Sequence, residues 1–403
     1  MRYDKPCLRE DWKHAFLMPD GYEHIVVDGL EMTAKSIWEY PGSREELLEK
    51  VVDYFYTEGF KPFIEVDSAS IERDFLKLVD SSADSALDID GSLKNTSRVG
   101  LDICRTFCQK SFYSTRANGT PSVLDVYKDK DLLRRVLKNR MGWYTTTEPL
   151  VLEDGTKLEG EHPYLFDLSH KMLVQGCHSA MVSANISNFR PLVAKLLMEK
   201  FCPKNGLVLD LSAGWGARLM AALSLGMSYY GIDPMTADEL GKMAAFFKSS
   251  SRVRSAVQSL GGSLDACIAN GVSEDMQSYA SLKSKKADYC IVCPPYFKLE
   301  EYPCEGNSTD VYTEYNDWLE KYWRKTVQNA RCHLAEHAKL TLVMVEKWGK
   351  LALLDDMSRI IEQEGFVKCN EMHYKTTRSH LTDKRKSGNT SKSTEKVWTF
   401  EKR

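Results

Sequence analysis

Residues 287–297 read Ala-Asp-Tyr-Cys-Ile-Val-Cys-Pro-Pro-Tyr-Phe, an apolar run that breaks off at two prolines and two aromatic residues. Proline fixes φ and has no N–H for a ladder, so a strand must end there. Such an end exposes backbone carbonyls beside an aromatic face. Cys293 adds a thiol, which is a weak acceptor and a nucleophile only where its pKa is lowered. Cys290 and Cys293 also spell Cys-x-x-Cys. Residues three apart on a strand point to opposite faces, so one metal ion cannot be held by both and no metal site is expected.

A second constellation lies at residues 208–219, Val-Leu-Asp-Leu-Ser-Ala-Gly-Trp-Gly-Ala-Arg-Leu. Asp210, Gly214 and Gly216 fall at a strand-to-helix turn, with Ser212 and Trp215 between them. Glycines there let the backbone approach a ligand, and the helix start offers unpaired N–H groups. Asp233 closes the next strand, 23 residues after Asp210, where an acid suits a ribose diol. The ligand is a dinucleotide or S-adenosylmethionine. A dinucleotide fingerprint wants a small residue three after the second glycine, where this chain has Leu219. Asp210 also suits a cationic ligand better than a pyrophosphate. A third strand ends at residues 269–276, where a carboxylate or amide can meet an adenine amino group; Asp275 is the first choice, with Asn270 and Glu274 as competitors. Arg218 stands in the first turn of a helix, an unfavourable place for a cation, and is expected to pair with Asp210 or with a substrate phosphate.

These residues need strands and helices in alternation to hold them, and the second half of the chain supplies that rhythm. Strand-like runs at 205–212, 228–233, 264–271, 288–293, 338–348, 366–374 and 396–402 alternate with helical patterns at 217–226, 236–249, 315–334 and 351–365. That order predicts βαβ units and a mostly parallel sheet covered on both faces. The first half lacks it. Residues 43–59 and 124–144 read as helices, the second crowded with Lys128, Lys130, Arg134, Arg135, Lys138 and Arg140. The expected division is an α-rich accessory or substrate-recognition domain over 1–160 and an α/β domain over 161–403. Residues 384–396, including Lys384, Arg385 and Lys386, read as a polar, basic loop between the last two strands.

Composition narrows the classes. The chain has 403 residues, 43% of them hydrophobic and 28% charged, as in ordinary globular proteins. A formal net charge of −3 excludes a globally basic nucleic-acid coat, though not a local basic face. Eleven cysteines, an odd number irregularly spaced, fit free thiols in a reducing compartment. No run of about 18 apolar residues indicates a membrane span, and the charged N-terminus lacks a signal-peptide core. A cytoplasmic (host cytoplasm if phage-encoded) or nuclear protein is expected.

Over residues 186–403 the chain resembles the class I S-adenosylmethionine-dependent methyltransferases. More narrowly, it resembles those that modify amino groups of nucleic-acid bases, at adenine N6, cytosine N4 or guanine N2. The resemblance rests on Asp-Leu-Ser-Ala-Gly-Trp-Gly-Ala-Arg-Leu, Gly-Ile-Asp, Cys-Pro-Pro-Tyr-Phe and the aromatic helix at 312–323. It implies a seven-stranded Rossmann-like sheet and S-adenosylmethionine held by Asp210, Ser212, Gly214, Trp215, Gly216, Asp233 and Asp275. Phe189 would line the methionine end. The family has Asp, Asn or Ser before Pro-Pro, where this chain has Cys293. Carried over, Cys293 and Pro294 accept hydrogen bonds from the target amine, Pro295 stiffens the turn, and Tyr296 stacks on a flipped-out base. Phe297, Arg218, Lys384, Arg385 and Lys386 would meet the substrate, DNA ahead of RNA. The rival expectations are a different base modification, an amine outside nucleic acids, or a non-catalytic nucleic-acid-binding subunit.

Overall fold

The computed structural model describes residues 25–33, 36–37, 40–63, 67–141, 168–375 and 395–403, with backbone alone at 145–146, 150–151, 157–158 and 162–163. The chain forms two compact units, each from two stretches: Met1–Phe63 with Tyr113–Ile186, and Ile64–Phe112 with Ser187–Arg403. The contiguous 1–160 and 161–403 division read from the sequence is therefore not the one the packing makes.

In the first unit, helices Arg44–Glu58, Lys130–Arg140 and His170–Ser179 bury Val51, Val52, Phe55, Leu133, Val136, Leu137 and Cys177. Ser43 caps the first helix by accepting from the Glu46 N–H. The helix expected over 124–144 is two: Val123–Val126 and Lys130–Arg140. Asp129 starts the second by accepting from the Asp131 and Leu132 N–H groups. Its basic residues are largely spent within the unit. Lys130 pairs with Asp53 at 2.6 Å, and Arg134 with Glu49 and Asp131, both at 2.5 Å. Arg140 is buried and donates to the Met172 carbonyl at 2.9 Å.

The second unit is built on one sheet. Its strands are β1 (Leu93–Lys94), β2 (Leu207–Asp210), β3 (Ser228–Ile232), β4 (Ala266–Ala269), β5 (Ala287–Val292), β6 (Leu334–Val345), β7 (Phe366–Lys375) and β8 (Glu395–Lys402). They lie in the order β4-β3-β2-β5-β6-β8-β7-β1, and only β8 runs antiparallel to its neighbours. The seven expected strands are present, and the two-residue β1 adds an eighth. From β2 the chain winds outward through β3 and β4, then crosses back to β5 on the other side. The carboxyl ends of β2 and β5 thus flank the switch point, where open α/β sheets bind ligands.

Residues 64–112 belong to this unit through distant contacts. Lys195, on helix α1 (Pro191–Phe201), donates to the carbonyls of Leu78, Val79 and Ser81, each at 2.8 Å, and so closes helix Ser68–Asp80. Phe75 stacks on Phe247 at 4.2 Å. Helices α2 (Ala217–Ser224) and α3 (Ala237–Ser249) follow β2 and β3. The helix expected over 315–334 runs as Tyr315–Asp317, a π-helical turn Trp318–Trp323, and Arg324–His333. Trp318 and Trp323 are fully buried, and their indole N–H groups donate to Ser308 Oγ and the Met357 carbonyl. No described helix is long and apolar enough to cross a membrane.

Candidate active site

At the end of β2, Asp210 is fully buried and holds the Arg218 guanidinium at 2.7 Å, the Tyr229 hydroxyl at 2.8 Å and the Ser212 N–H at 3.3 Å. Arg218 also donates to the Ser212 carbonyl and lies over the Phe189 ring at 5.3 Å. Of the two roles read for Arg218, the structure takes the pairing with Asp210. It is 4% exposed and turns what remains of its surface to the cavity described below.

The glycine loop closes on Asp233. Gly214 and Gly216 have φ of 58° and 84°, the left-handed region that favours glycine. A Cβ at Gly216 would stand 2.7 Å from Met243 Cε. Asp233 Oδ2 accepts the Gly214 N–H at 2.8 Å, and Oδ1 accepts those of Met235 and Thr236, both at 2.9 Å. Thr236 stands at the N-cap position of α3 and donates its hydroxyl to the Gly214 carbonyl at 2.6 Å. Burial pushes the Asp233 carboxyl up, against the pull of those N–H donors. Asp233 is thus first an organiser of the loop.

The same cavity, ≈ 150 Å³, takes in the end of β5. Cys293, Pro294, Pro295 and Tyr296 line it together with Ser212, Gly214, Trp215, Arg218, Asp233 and Phe189. The Ser212 hydroxyl donates to the Cys293 carbonyl at 2.9 Å, joining the two constellations directly. Burial pushes the Cys293 thiol up to about 12. That direction favours the thiol over the thiolate at neutral pH.

Two expected site residues lie elsewhere. Asp275 is exposed and caps the 3-10 helix Met276–Leu282 by accepting from the Gln277 N–H at 3.0 Å. Its neighbour Glu274 lines the cavity instead. Phe297 is core: it packs on Tyr315 and Trp318 with ring centres 5.3 and 5.6 Å away. Lys384, Arg385 and Lys386 lie outside the described residues. The sequence reading missed Glu300, Tyr302, Asn307, Tyr322, Tyr374 and Glu395, all in the cavity wall. Tyr322 sits on the π-helical turn, which shifts it from the position a regular helix would give.

Among the described residues, two buried acceptors in this wall lack a partner. Asn307 is 4% exposed; its amide N–H donates to Asp310 at 3.0 Å, and its Oδ1 meets no donor. Glu274 Oε2 is likewise unpartnered, and burial pushes that carboxyl up to about 7. A carboxyl whose pKa in the fold exceeds its unfolded value stabilises below the unfolded value and loses that contribution as pH rises through the folded one. Between pH 4.5 and 7 the wild type should therefore lose up to about 3 kcal/mol relative to Glu274→Gln. Urea denaturation across that range checks this; parallel pH dependence of the two proteins would sink it.

No protein-family model matches the chain, and neither does any curated protein. Among solved structures it is similar to a methyltransferase from Pyrococcus furiosus, at 16% identity over 53% of this chain and 82% of that one, with a TM-score of 0.30. It is also similar to TrmN from Thermus thermophilus (13% identity, 61% and 70% covered, TM-score 0.31). A third is the glycopeptide N-methyltransferase MtfA complexed with sinefungin (15%, 54% and 96%, 0.34). Similarity this low carries no argument about activity, and the α/β assignment rests on the strand order of the sheet itself.

Proposed function

We propose that this protein is an S-adenosylmethionine-dependent methyltransferase acting on an exocyclic amino group of a nucleic-acid base, DNA ahead of RNA. The observation that carries the reading is the Ser212 to Cys293 bond, which sets the glycine loop and the Cys-Pro-Pro-Tyr turn in one wall of one cavity. When bound, S-adenosylmethionine supplies an electrophilic methyl group on a cationic sulfur. The residues present fit it. The left-handed glycines carry no side chain to crowd it, Asp233 keeps one lone pair, on Oδ2, for a ribose hydroxyl, and the unpartnered Glu274 and Asn307 oxygens suit an amino group. Phe189 lines the other end.

On the acceptor side, the Cys293 and Pro294 carbonyls take the place of a side-chain acceptor before Pro-Pro. Ser212 occupies one lone pair of the Cys293 carbonyl and fixes its direction. A carbonyl has a second lone pair, so it still accepts from an incoming amine. Tyr296 and Tyr322 offer aromatic surface to a base taken out of its stack.

Mass spectrometry of DNA and RNA nucleosides, with and without expression of the protein, tests this reading. A new amino-methylated nucleoside in DNA is expected, and an unchanged nucleoside profile in both polymers counts against it. Cys293→Ser should keep substantial methyl transfer, because the residue contributes its carbonyl. Loss of turnover in that variant, with cofactor and substrate still bound, would point to a nucleophilic thiol instead.

A further inference from the structure

Three arginines outside the cavity wall gather beside it. Asn95, just past β1, lines the cavity with Phe189 and Tyr374, and β1 lies against β7 with Leu93 opposite Tyr374. Arg190, next to Phe189 and at the N-cap of α1, donates its Nε–H to Asn95 Oδ1. Arg98 follows shortly after Asn95, and Arg105 lies on the helix Leu101–Phe107. Arg98 and Arg105 approach the same oxygen, Oδ1 of Asp102, at 3.8 and 4.0 Å. Burial lowers the pKa of Arg190; Tyr374 opposes that shift, and the charges of Arg105 and Arg98 add to it. The three guanidiniums thus crowd one another from two distant stretches of the chain. Among the described residues, Asp102 is the one carboxylate within 4.0 Å of any of them. It is 54% exposed, and exposed pairs of that length contribute little. Arg105 Nε is buried and meets no acceptor. A guanidinium cannot shed its charge, so a buried donor left open in it calls for an acceptor from outside the chain.

We propose that Arg98, Arg105 and Arg190 form a phosphate site at the lip of the cavity, which holds the backbone of the nucleic-acid substrate beside the base being modified. This rests on the nucleic-acid reading above. A base taken out of its stack stays joined to its sugar and to the phosphates on either side. When the ring enters the cavity, those phosphates stop at the rim. Arginine suits that place, because its planar fork can bind a phosphate through two N–H groups at once. The exposures are graded to match. The Arg98 side chain is 71% exposed, that of Arg105 31%, and Arg190 is half-buried, so the cluster opens from the wall towards solvent. S-adenosylmethionine also carries an anion, its carboxylate. A group inside the cavity, however, meets Arg218 and none of these three in the lining.

Fluorescence anisotropy on the full chain, with a labelled single-stranded DNA oligonucleotide of mixed sequence and its RNA counterpart, tests the site across a range of salt. Arg98→Gln/Arg105→Gln should bind at least about tenfold more weakly at low salt, the scale for losing charge-assisted hydrogen bonds. The slope of log affinity against log salt should flatten by about 0.7, the share of one phosphate in a single strand. Arg98→Gln alone, at an exposed position that the fold tolerates, should weaken binding by about threefold. Melting temperatures near that of the wild type show that the variants are folded, and calorimetry should find their S-adenosylmethionine affinity unchanged. Wild-type affinity and slope in both variants would overturn the phosphate site alone. Loss of S-adenosylmethionine affinity with oligonucleotide binding intact would assign the arginines to the cofactor carboxylate and overturn it as well. A wild type that binds neither oligonucleotide would overturn the site together with the nucleic-acid reading.

Discussion

Arg218→Met is expected to destabilise the second unit by about 3–5 kcal/mol, the usual cost of breaking a buried ion pair from one side. Asp210 has no surface in contact with solvent, and its charge is met by the Arg218 guanidinium at 2.7 Å and the Tyr229 hydroxyl at 2.8 Å. Methionine keeps much of the length of the side chain and removes the charge, so Asp210 is left with two neutral donors, the Tyr229 hydroxyl and the Ser212 N–H. The Ser212 carbonyl loses a donor as well. Adding Asp210→Asn should recover part of the loss, since the uncompensated charge is then gone. The double-mutant cycle in urea therefore has a sign: Arg218→Met alone is worse than the pair of substitutions. Additive losses would mean that Arg218 acts through packing alone. Arg218→Lys is also expected to be damaging, because the bond to Asp210 runs through Nε and another guanidinium nitrogen reaches Ser212. A single ammonium cannot serve both.

The sequence carried the local parts of this site well. Asp210, Gly214, Gly216, Asp233 and Cys293 to Tyr296 stand at strand ends fixed by proline, by glycine and by the apolar runs before them, and all but Asp210 and Gly216 line the cavity. Those two sit just behind it, Asp210 holding Arg218 and Gly216 in contact with Met243. What the sequence hid was set by distance or by a single-residue phase. Residues 64–112 join the sheet unit because Lys195 reaches back more than a hundred positions to Leu78, Val79 and Ser81. No local pattern announces such a contact. Asp275 and Glu274 are adjacent acids, and the turn after β4 sends one to cap a helix and the other into the cavity wall. Composition cannot choose between them. Phe297 follows Tyr296, and the chain bends so that the first fills the core against Trp318 while the second lines the cavity. Glu300 and Glu395 are ordinary surface residues by type; only the meeting of the Pro-Pro turn with β8 brings them together.

Asp233→Asn should weaken S-adenosylmethionine binding by about 1.5–3 kcal/mol, the scale for hydrogen bonds to a charged group. Asp233 acts through the loop as much as through the ligand. Asp233 accepts three backbone N–H groups, one on Oδ2 and two on Oδ1. An asparagine has only one acceptor oxygen. Whichever way its amide turns, an NH2 group faces a backbone N–H, from Gly214 in one orientation or from Met235 and Thr236 in the other. The left-handed conformation at Gly214, with φ of 58°, then loses the bond that anchors it. Thr236 holds the Gly214 carbonyl from the same side, so Asp233→Asn/Thr236→Val should lose less than the sum of the single variants. Calorimetric titration reads the affinity, and the melting temperature separates a local loss from unfolding. Wild-type affinity in Asp233→Asn would remove both the ribose role and the loop role from this residue. The cofactor would then have to lie at the Glu274 and Asn307 side without reaching the glycine turn.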